Sequence, residues 1–201
     1  YVYAERALAK HPYIKPHHTF HDLLVIKCDL ETSDLVDRGI WKSSEEDRKR
    51  LSDMVADYCY KYVLEILKVS RPVIARLAEM YPLVLVSNFY GNIETILADF
   101  DLQYFKHIVE SAVVGIRKPD PRIFQLGVDA LRKVTGKSDK ELPASNILVV
   151  GDSFSKDIVP ANEIGCQTVW TKGVGWGNEE TDDSIPTFII KNIAELENIL
   201  G

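Results

Sequence analysis

The first third of the chain carries apolar residues at helical spacing rather than in strict alternation. Thr19 and Asp22 stand in the positions of a helix N-cap and its partner three residues later. A second helix is predicted to begin at Ser43 or Ser44, where three acids follow in the first turn. The apolar stripe of this second helix consists of Leu51, Met54, Val55, Tyr58, Tyr62 and Ile66. Residues 1–69 are therefore predicted to form a helical domain.

From about Ser70 the pattern changes to short, continuous apolar runs that alternate with helical segments. Pro72 is predicted to begin a helix that ends at Met80. Strand-like runs follow at 83–86, 108–114, 147–150, 168–170 and 187–190, with helical segments at 93–100, 122–134, 157–164 and 193–200. Apolar strands that alternate with helices are typical of a parallel sheet covered on both faces. Residues 70–201 are therefore predicted to form an α/β domain with a Rossmann-like parallel sheet.

Composition and charge narrow the classes of partner. The chain is 46% hydrophobic and 27% charged, with a net charge of −6 and no basic stripe, which argues against a nucleic-acid partner. None of the three cysteines belongs to a C-x-x-C pair, so neither a zinc site nor a disulfide framework is predicted. No apolar run approaches the roughly 18 residues that a membrane span needs, and no signal peptide is visible. A cytoplasmic protein without a membrane partner is the prediction.

Polar residues follow three of the apolar runs directly, and ligands bind at the carboxyl ends of parallel strands. Ser87 and Asn88 follow the first run, where a hydroxyl and backbone N–H groups can hold a phosphate. Lys118 follows the second run in a loop stiffened by prolines, where its charge can neutralise a phosphate. Asp152 and Asp157 flank the turn after the third run, and paired carboxylates suit Mg²⁺. Each residue taken alone also has an ordinary structural interpretation as a helix cap, a turn former or a solvated charge.

The order of these pieces is more specific than any one of them. A strand with Ser-Asn, a strand with Lys-Pro and a strand with Gly-Asp-x-x-x-x-Asp resemble the second, third and fourth motifs of the haloacid dehalogenase (HAD) superfamily. The resemblance covers roughly residues 70–175, including the helix and glycine turn at 161–165. The helical region before it resembles the cap that this family inserts after its first motif.

The resemblance implies a Mg²⁺-dependent phosphatase that acts on a small phosphorylated metabolite. Ser87 would hydrogen-bond the transferring phosphoryl group while Asn88 supports its loop. Lys118 would neutralise the nucleophile and the phosphate. Asp152 and Asp157 would form the metal site, with Asp157 also ordering Asp152 and the lysine.

The family's first motif, Asp-x-Asp at the end of the first strand, is the part that this sequence does not display. Its first aspartate is the nucleophile, which forms an aspartyl-phosphate. Asp29 is a candidate because an apolar run precedes it, but the helical pattern around it and the short distance to Ser87 argue against this role. We expect the motif to lie upstream of Tyr1 on a strand between those ending at Val86 and Val150. Without that strand, two unpaired edges and an inactive, poorly stable chain are expected.

Two other functions compete with the phosphatase interpretation. One is an inactive pseudo-enzyme or a phosphate-binding module. The presence of all four site residues, Ser87, Lys118, Asp152 and Asp157, argues against it. The other is a 2-haloacid dehalogenase, whose chemistry needs no metal and would leave the paired acids without a purpose.

Two further features are interpreted as structural. His17, His18 and His21 are predicted to serve caps or the surface rather than a metal, with substrate contact as a weaker hypothesis. The glycine series at 173–177 is predicted to be a loop beside the active-site edge rather than a nucleotide-binding turn.

Overall fold

The computed structural model describes residues 4, 7–8, 13–173 and 180–200, and these divide into two compact units. The first unit comprises residues 1–69 and 89–103, and the second comprises residues 70–88 and 104–201. The boundary between residues 69 and 70 coincides with the one drawn from the sequence. Residues 89–103 differ, because the sequence pattern assigned them to the α/β domain.

Helix α1 of the first unit, Phe20–Asp37, begins with the predicted cap. The Asp22 amide donates to the Thr19 hydroxyl oxygen over 3.2 Å, and the Thr19 amide donates to the Asp22 carboxylate over 2.8 Å. The Thr19 hydroxyl also donates to this carboxylate over 2.8 Å, and the two bonds that the carboxylate accepts from Thr19 hold the pKa of Asp22 below its ordinary value. Just beyond the helix, Gly39 adopts a φ of +68°, which favours glycine and ends the turn.

Side-chain contacts explain why residues 89–103, which contain helix α3 (Ile93–Asp99), belong to the first unit. The Asn92 amide group donates to the His18 carbonyl over 2.9 Å, and Asn92 is only 1% exposed. The rings of Phe20 and Phe100 lie 5.6 Å apart. Such non-local contacts leave no mark on the local periodicity of the sequence.

Helix α2 spans Glu45–Met80 without interruption, so the prediction that a new helix begins at Pro72 is wrong. Proline removes one backbone N–H and its ring opposes the preceding turn, which usually breaks a helix. Here the residues beyond it are anchored, since Val73 is 2% and Leu77 7% exposed in a buried cluster. The packing of that segment outweighs the local cost of the proline.

The apolar stripe predicted for α2 is not its buried face. Tyr58 is 74% and Tyr62 63% exposed, whereas Ser52 and Ala56 are completely buried. Small residues allow two backbones to approach closely, so the face with Ser52 and Ala56 is the one that packs. The positions of the apolar residues therefore predict the wrong buried face for this helix.

The described residues of the second unit form five strands in two parallel sheets. Strand β1 (Val84–Ser87) pairs with β2 (His107–Glu110), and the order of the other sheet is β3 (Leu148–Gly151), β4 (Gln167–Thr171) and β5 (Phe188–Ile190). These strands confirm the predicted α/β class. The second predicted run is shorter than expected, because its latter part forms the short helix α4, Ser111–Val114, closed by Gly115 at φ +73°.

Helices cover both faces of these strands. They are α5 (Arg122–Thr135), a 3-10 turn (Ala144–Asn146), a π-helix (Phe154–Ile158), α6 (Val159–Glu163), a second 3-10 turn (Ile193–Glu195) and α7 (Leu196–Leu200). One buried cluster joins α5 to β2 through Phe124, Val128 and Val109. A second cluster joins Leu77 and Leu196 to Val169 of β4. Among the residues described, no helix is long and apolar enough to cross a bilayer.

A gap divides the strands of this unit. Within the described residues β1 pairs only with β2, and β3 pairs on one side only, with β4. A cavity of about 480 Å³ is lined by both free edges and by the apolar side chains of Phe124, Leu77 and Leu196. The two unpaired edges expected at the strands that contain Val86 and Val150 are therefore present.

Glycine is required at the end of β3. A Cβ atom on Gly151 would lie 2.3 Å from Cβ and 2.7 Å from Cγ of Asp157, closer than non-bonded carbon atoms approach. We expect Gly151→Ala to lower the free energy of unfolding by about 1–3 kcal/mol, the usual effect of overpacking. Urea denaturation measures this change. Gly173→Ala is the matched control, since its Cβ would meet no atom of the described residues within 4 Å, and equal losses in both variants would contradict the expectation.

The cysteines should differ in reactivity. Burial raises the pKa of the Cys28 and Cys166 thiols to about 11, whereas Cys59 is only half-buried. Because the thiolate is the reactive form, we expect iodoacetamide at pH 8 to label Cys59 faster than the other two by a factor on the order of ten or more. Mass spectrometry of timed samples measures the rates, and 8 M urea should equalise them. Equal rates in the folded protein would show that burial does not protect these thiols.

Candidate active site

The residues that follow the three strands share one cavity. Ser87 is the last residue of β1, and Asp152 follows the last residue of β3 directly. Lys118 lies in the loop before α5, and Asp157 lies in the π-helix after β3. All four line the cavity of about 480 Å³ at the carboxyl ends of the strands. Parallel strands therefore bring together residues that are up to 70 positions apart in the chain (157 − 87).

A buried ion pair joins two of these residues. The Lys118 ammonium Nζ lies 2.6 Å from Asp157 Oδ1, and their side chains are 16% and 6% exposed. Removing one partner of such a pair leaves the other charge buried and uncompensated. The pair therefore fixes the ammonium group at the wall of the cavity.

Asn88 connects the loop after β1 to the loop that carries Lys118. Its side-chain amide donates to the Lys118 carbonyl over 3.0 Å, and the Lys118 amide donates to Asn88 Oδ1 over 2.8 Å. This two-way contact aligns the lysine backbone with the end of β1. The hydroxyl of the neighbouring Ser87 makes no hydrogen bond with the described part of the chain, so it is available to a ligand.

The π-helix turns Asp157 back toward the start of its own loop. The Ser153 carbonyl accepts hydrogen bonds from the amides of both Asp157 and Ile158, which widens the turn. The Ser153 amide donates to Asp157 Oδ2 over 3.1 Å. Both carboxylate oxygens of Asp157 are thus engaged, one by Lys118 and one by Ser153.

Asp152 offers the carboxylate that is left for a cation. Its side chain is exposed and makes no hydrogen bond with the described residues. The described residues contain no cluster of three or more His, Cys, Asp or Glu side chains that could hold a metal, so a structural zinc site does not fit them. Mg²⁺ does fit, because it binds through one or two protein carboxylates and otherwise takes water and phosphate oxygens.

Asp29 does not lie at the end of a strand, where a nucleophilic aspartate of this family is expected. It lies inside helix α1 of the first unit rather than at the end of a strand, so that interpretation of the run before it is wrong. Arg48 Nη1 lies 2.8 Å from Asp29 Oδ1 and also donates to the Thr32 hydroxyl over 3.1 Å. This set of contacts ties two helices of the first unit together.

The histidines make ordinary structural contacts. His21 Nε2 lies 2.7 Å from Asp57 Oδ1, and His18 Nδ1 accepts from the Lys15 amide over 3.2 Å. The rings of His17 and His18 meet edge to face, 4.8 Å apart. The glycine series lies outside the described residues beyond Gly173.

One contact at the site is not predicted from the sequence. The indole Nε1 of Trp170 donates to the Asp152 carbonyl over 3.1 Å. Trp170 was assigned only to an apolar run. The available signal was that this run is expected to end at the same sheet edge, where an indole N–H seeks an acceptor.

Comparisons with known proteins agree with this architecture. A glyceraldehyde 3-phosphate phosphatase from Pyrococcus abyssi is 33% identical over 69 residues, which is 34% of this chain and 25% of that protein. Pyrimidine 5'-nucleotidase YjjG from Escherichia coli K12 is 30% identical over 97 residues, 48% of this chain and 39% of that protein. The matched segments thus span less than half the length of these curated relatives.

Solved structures share this fold, and a match to a protein-family model identifies the family. The crystal structure of a HAD phosphatase from Thermococcus onnurineus matches with a TM-score of 0.55 at 21% identity, covering 90% of this chain and 92% of that one. The model of haloacid dehalogenase-like hydrolases matches residues 33–165, which include the ends of β1 and β3 and the loop with Lys118. The chain belongs to the haloacid dehalogenase-like hydrolases.

Proposed function

We propose that this chain is the main part of a Mg²⁺-dependent hydrolase of small phosphate monoesters that works through an aspartyl-phosphate. The observation that carries the proposal is the convergence of Ser87, Lys118, Asp152 and Asp157 on one cavity. A hydroxyl donor, a fixed ammonium group and an available carboxylate together suit a phosphate and its cation. Phosphoryl transfer depends mainly on this kind of positioning and charge stabilisation.

The phosphate would be bound by Ser87 and Lys118. In the proposed complex the Ser87 hydroxyl donates to a phosphoryl oxygen, and the Lys118 ammonium neutralises the negative charge shared by phosphate and nucleophile. Asn88 holds the two loops in register through its paired hydrogen bonds to Lys118. Asp157 holds the ammonium group by the 2.6 Å contact.

The metal would be held by Asp152, with Asp157 in a supporting role. Both oxygens of Asp157 already serve Lys118 and Ser153, so it orders the site rather than ligating directly. We therefore propose Asp152 alone as the direct protein ligand, whereas the family resemblance implied a metal site formed by both acids. Mg²⁺, when bound, would neutralise charge on the transferring phosphoryl group.

The nucleophile would come from a β-strand that is not among residues 1–201. Such a strand would lie between β1 and β3, pair with both free edges, and end beside Lys118. An aspartate at its carboxyl end would attack phosphorus, so that the bond from phosphorus to the ester oxygen breaks. The leaving alcohol would take a proton from the second aspartate of the same Asp-x-Asp motif. Water would then hydrolyse the acyl phosphate and release inorganic phosphate.

The relatives suggest where to look for a substrate. Their names refer to glyceraldehyde 3-phosphate and to pyrimidine 5'-nucleotides, both of which are small phosphate monoesters. We include both compounds, with other sugar phosphates and nucleotides, among the proposed substrates. A 2-haloacid serves as the test of the competing dehalogenase chemistry.

The first test measures phosphate release by the longer protein that includes the strand. We expect hydrolysis of at least one phosphate monoester that EDTA abolishes and Mg²⁺ restores. Asp152→Asn and Lys118→Met should each lower kcat by about 100-fold or more, because each removes a charge that stabilises the transition state. Asp139→Asn, which neutralises an exposed acid elsewhere, is the control and should leave kcat unchanged. Metal-independent release of halide from the 2-haloacid, with no phosphate release, would overturn the proposal.

The second test examines the gap between the strands by hydrogen exchange. Residues 1–201 alone should show fast amide exchange in β1 and β3 at the edges that face the gap, since these amides lack a strand partner. Strand β4 is the internal control, because it pairs on both sides. In the longer protein the exchange in β1 and β3 should slow to the level of β4. Exchange that is equally slow in all three strands of residues 1–201 would contradict the idea that a strand belongs there.

A further inference from the structure

The peptide group between Asp152 and Ser153 is held at both ends. Its carbonyl oxygen accepts from Trp170 Nε1 over 3.1 Å, and its N–H donates to Asp157 Oδ2 over 3.1 Å. Because a peptide group is planar, fixing its oxygen and its nitrogen fixes the orientation of the whole plane. That plane holds one end of the Asp152 backbone in place, so it restricts the directions in which the Asp152 side chain can leave Cα.

Trp170 is itself held rigidly enough to act as such a clamp. It pairs in register with Gly151 across β3 and β4, which brings its side chain beside the loop that follows Gly151. The residue is 6% exposed, and its ring lies 5.3 Å from that of Phe154. The indole ring also carries a cation over it, since Lys172 Nζ lies 4.7 Å from the ring centroid.

The cation over the indole is anchored in turn. Lys172 Nζ contacts both oxygens of Asp183, at 2.6 and 2.7 Å. Contacts therefore run without a break from Asp183 through Lys172 and Trp170 to the Asp152 carbonyl. Packing, strand register and this cation together set the direction of the indole N–H.

We propose that Trp170 is a positioning residue for the Asp152 carboxylate. The inference rests on the proposed function, in which Asp152 is the Mg²⁺ ligand. Asp157 holds the nitrogen end of the peptide and Trp170 holds the oxygen end. A ligand fixed in this way binds the cation without first losing conformational freedom.

The test replaces Trp170 by Phe in the longer protein, which keeps an aromatic ring and removes the N–H. Mg²⁺ binding is measured by titration calorimetry, and exchange of the Ser153 amide is measured by NMR without metal. We expect both the Mg²⁺ dissociation constant and the exchange rate to rise about threefold to tenfold, as the loss of one hydrogen bond predicts. The kcat at saturating Mg²⁺ should stay within about twofold, because the clamp acts on the metal ligand rather than on the substrate.

Trp41→Phe is the matched control for the same chemical change outside the second unit, and it should alter neither quantity. Wild-type Mg²⁺ affinity in Trp170→Phe would overturn the positioning role, even if the variant is less stable to urea. Failure of the unmodified protein to bind Mg²⁺ would overturn the proposed function together with this inference. If Trp170→Phe does not fold, Lys172→Met tests the same clamp, since freeing the indole should accelerate exchange at Ser153 and an unchanged rate would overturn the inference.

Discussion

The site depends on the two contacts that the Asp157 carboxylate makes. One oxygen holds the Lys118 ammonium and the other holds the Ser153 amide, so one buried side chain joins two loops. The close approach that this requires explains the glycine at position 151, the widened π turn and the burial of the acid. Breaking a buried pair of this kind typically costs about 3–5 kcal/mol. The geometry of the site is therefore coupled to the stability of its loops.

The divided sheet is the second constraint. Hydrogen-bonding groups along a strand edge need partners, and an apolar cavity supplies none. In the second unit, helices already cover both faces of the gap between β1 and β3. The surroundings thus favour an extended, largely apolar segment with its backbone paired on both sides. The proposed nucleophile strand meets both requirements, and it would end where Lys118 and Asp152 already lie.

Much of this architecture could be predicted because its determinants are local or periodic. Apolar runs marked the five strands, and the polar residues after three of them marked Ser87, Lys118 and Asp152. What could not be predicted depends on contacts between distant segments. The helix through Pro72 is stabilised by the burial of Val73 and Leu77, which local propensity does not reveal.

The same reason accounts for the remaining differences. The exposed stripe with Tyr58 and Tyr62 shows that small residues can determine which face of a helix packs. The contact between Trp170 and the Asp152 carbonyl depends on the register of two strands, and no motif encodes that register. The proposed division of metal roles between Asp152 and Asp157 likewise rests on hydrogen bonds rather than on spacing.

The central claim is that one phosphate and one cation share the cavity at the ends of β1 and β3. A crystal structure of the longer protein with Mg²⁺ and tungstate, an inert analogue of phosphate, tests it most directly. The account predicts tungstate within hydrogen-bond distance of the Ser87 hydroxyl and the Lys118 ammonium, with Mg²⁺ bound to the Asp152 carboxylate. Tungstate bound at another place on the protein, with Ser87 and Lys118 making no contact to it, would contradict the account.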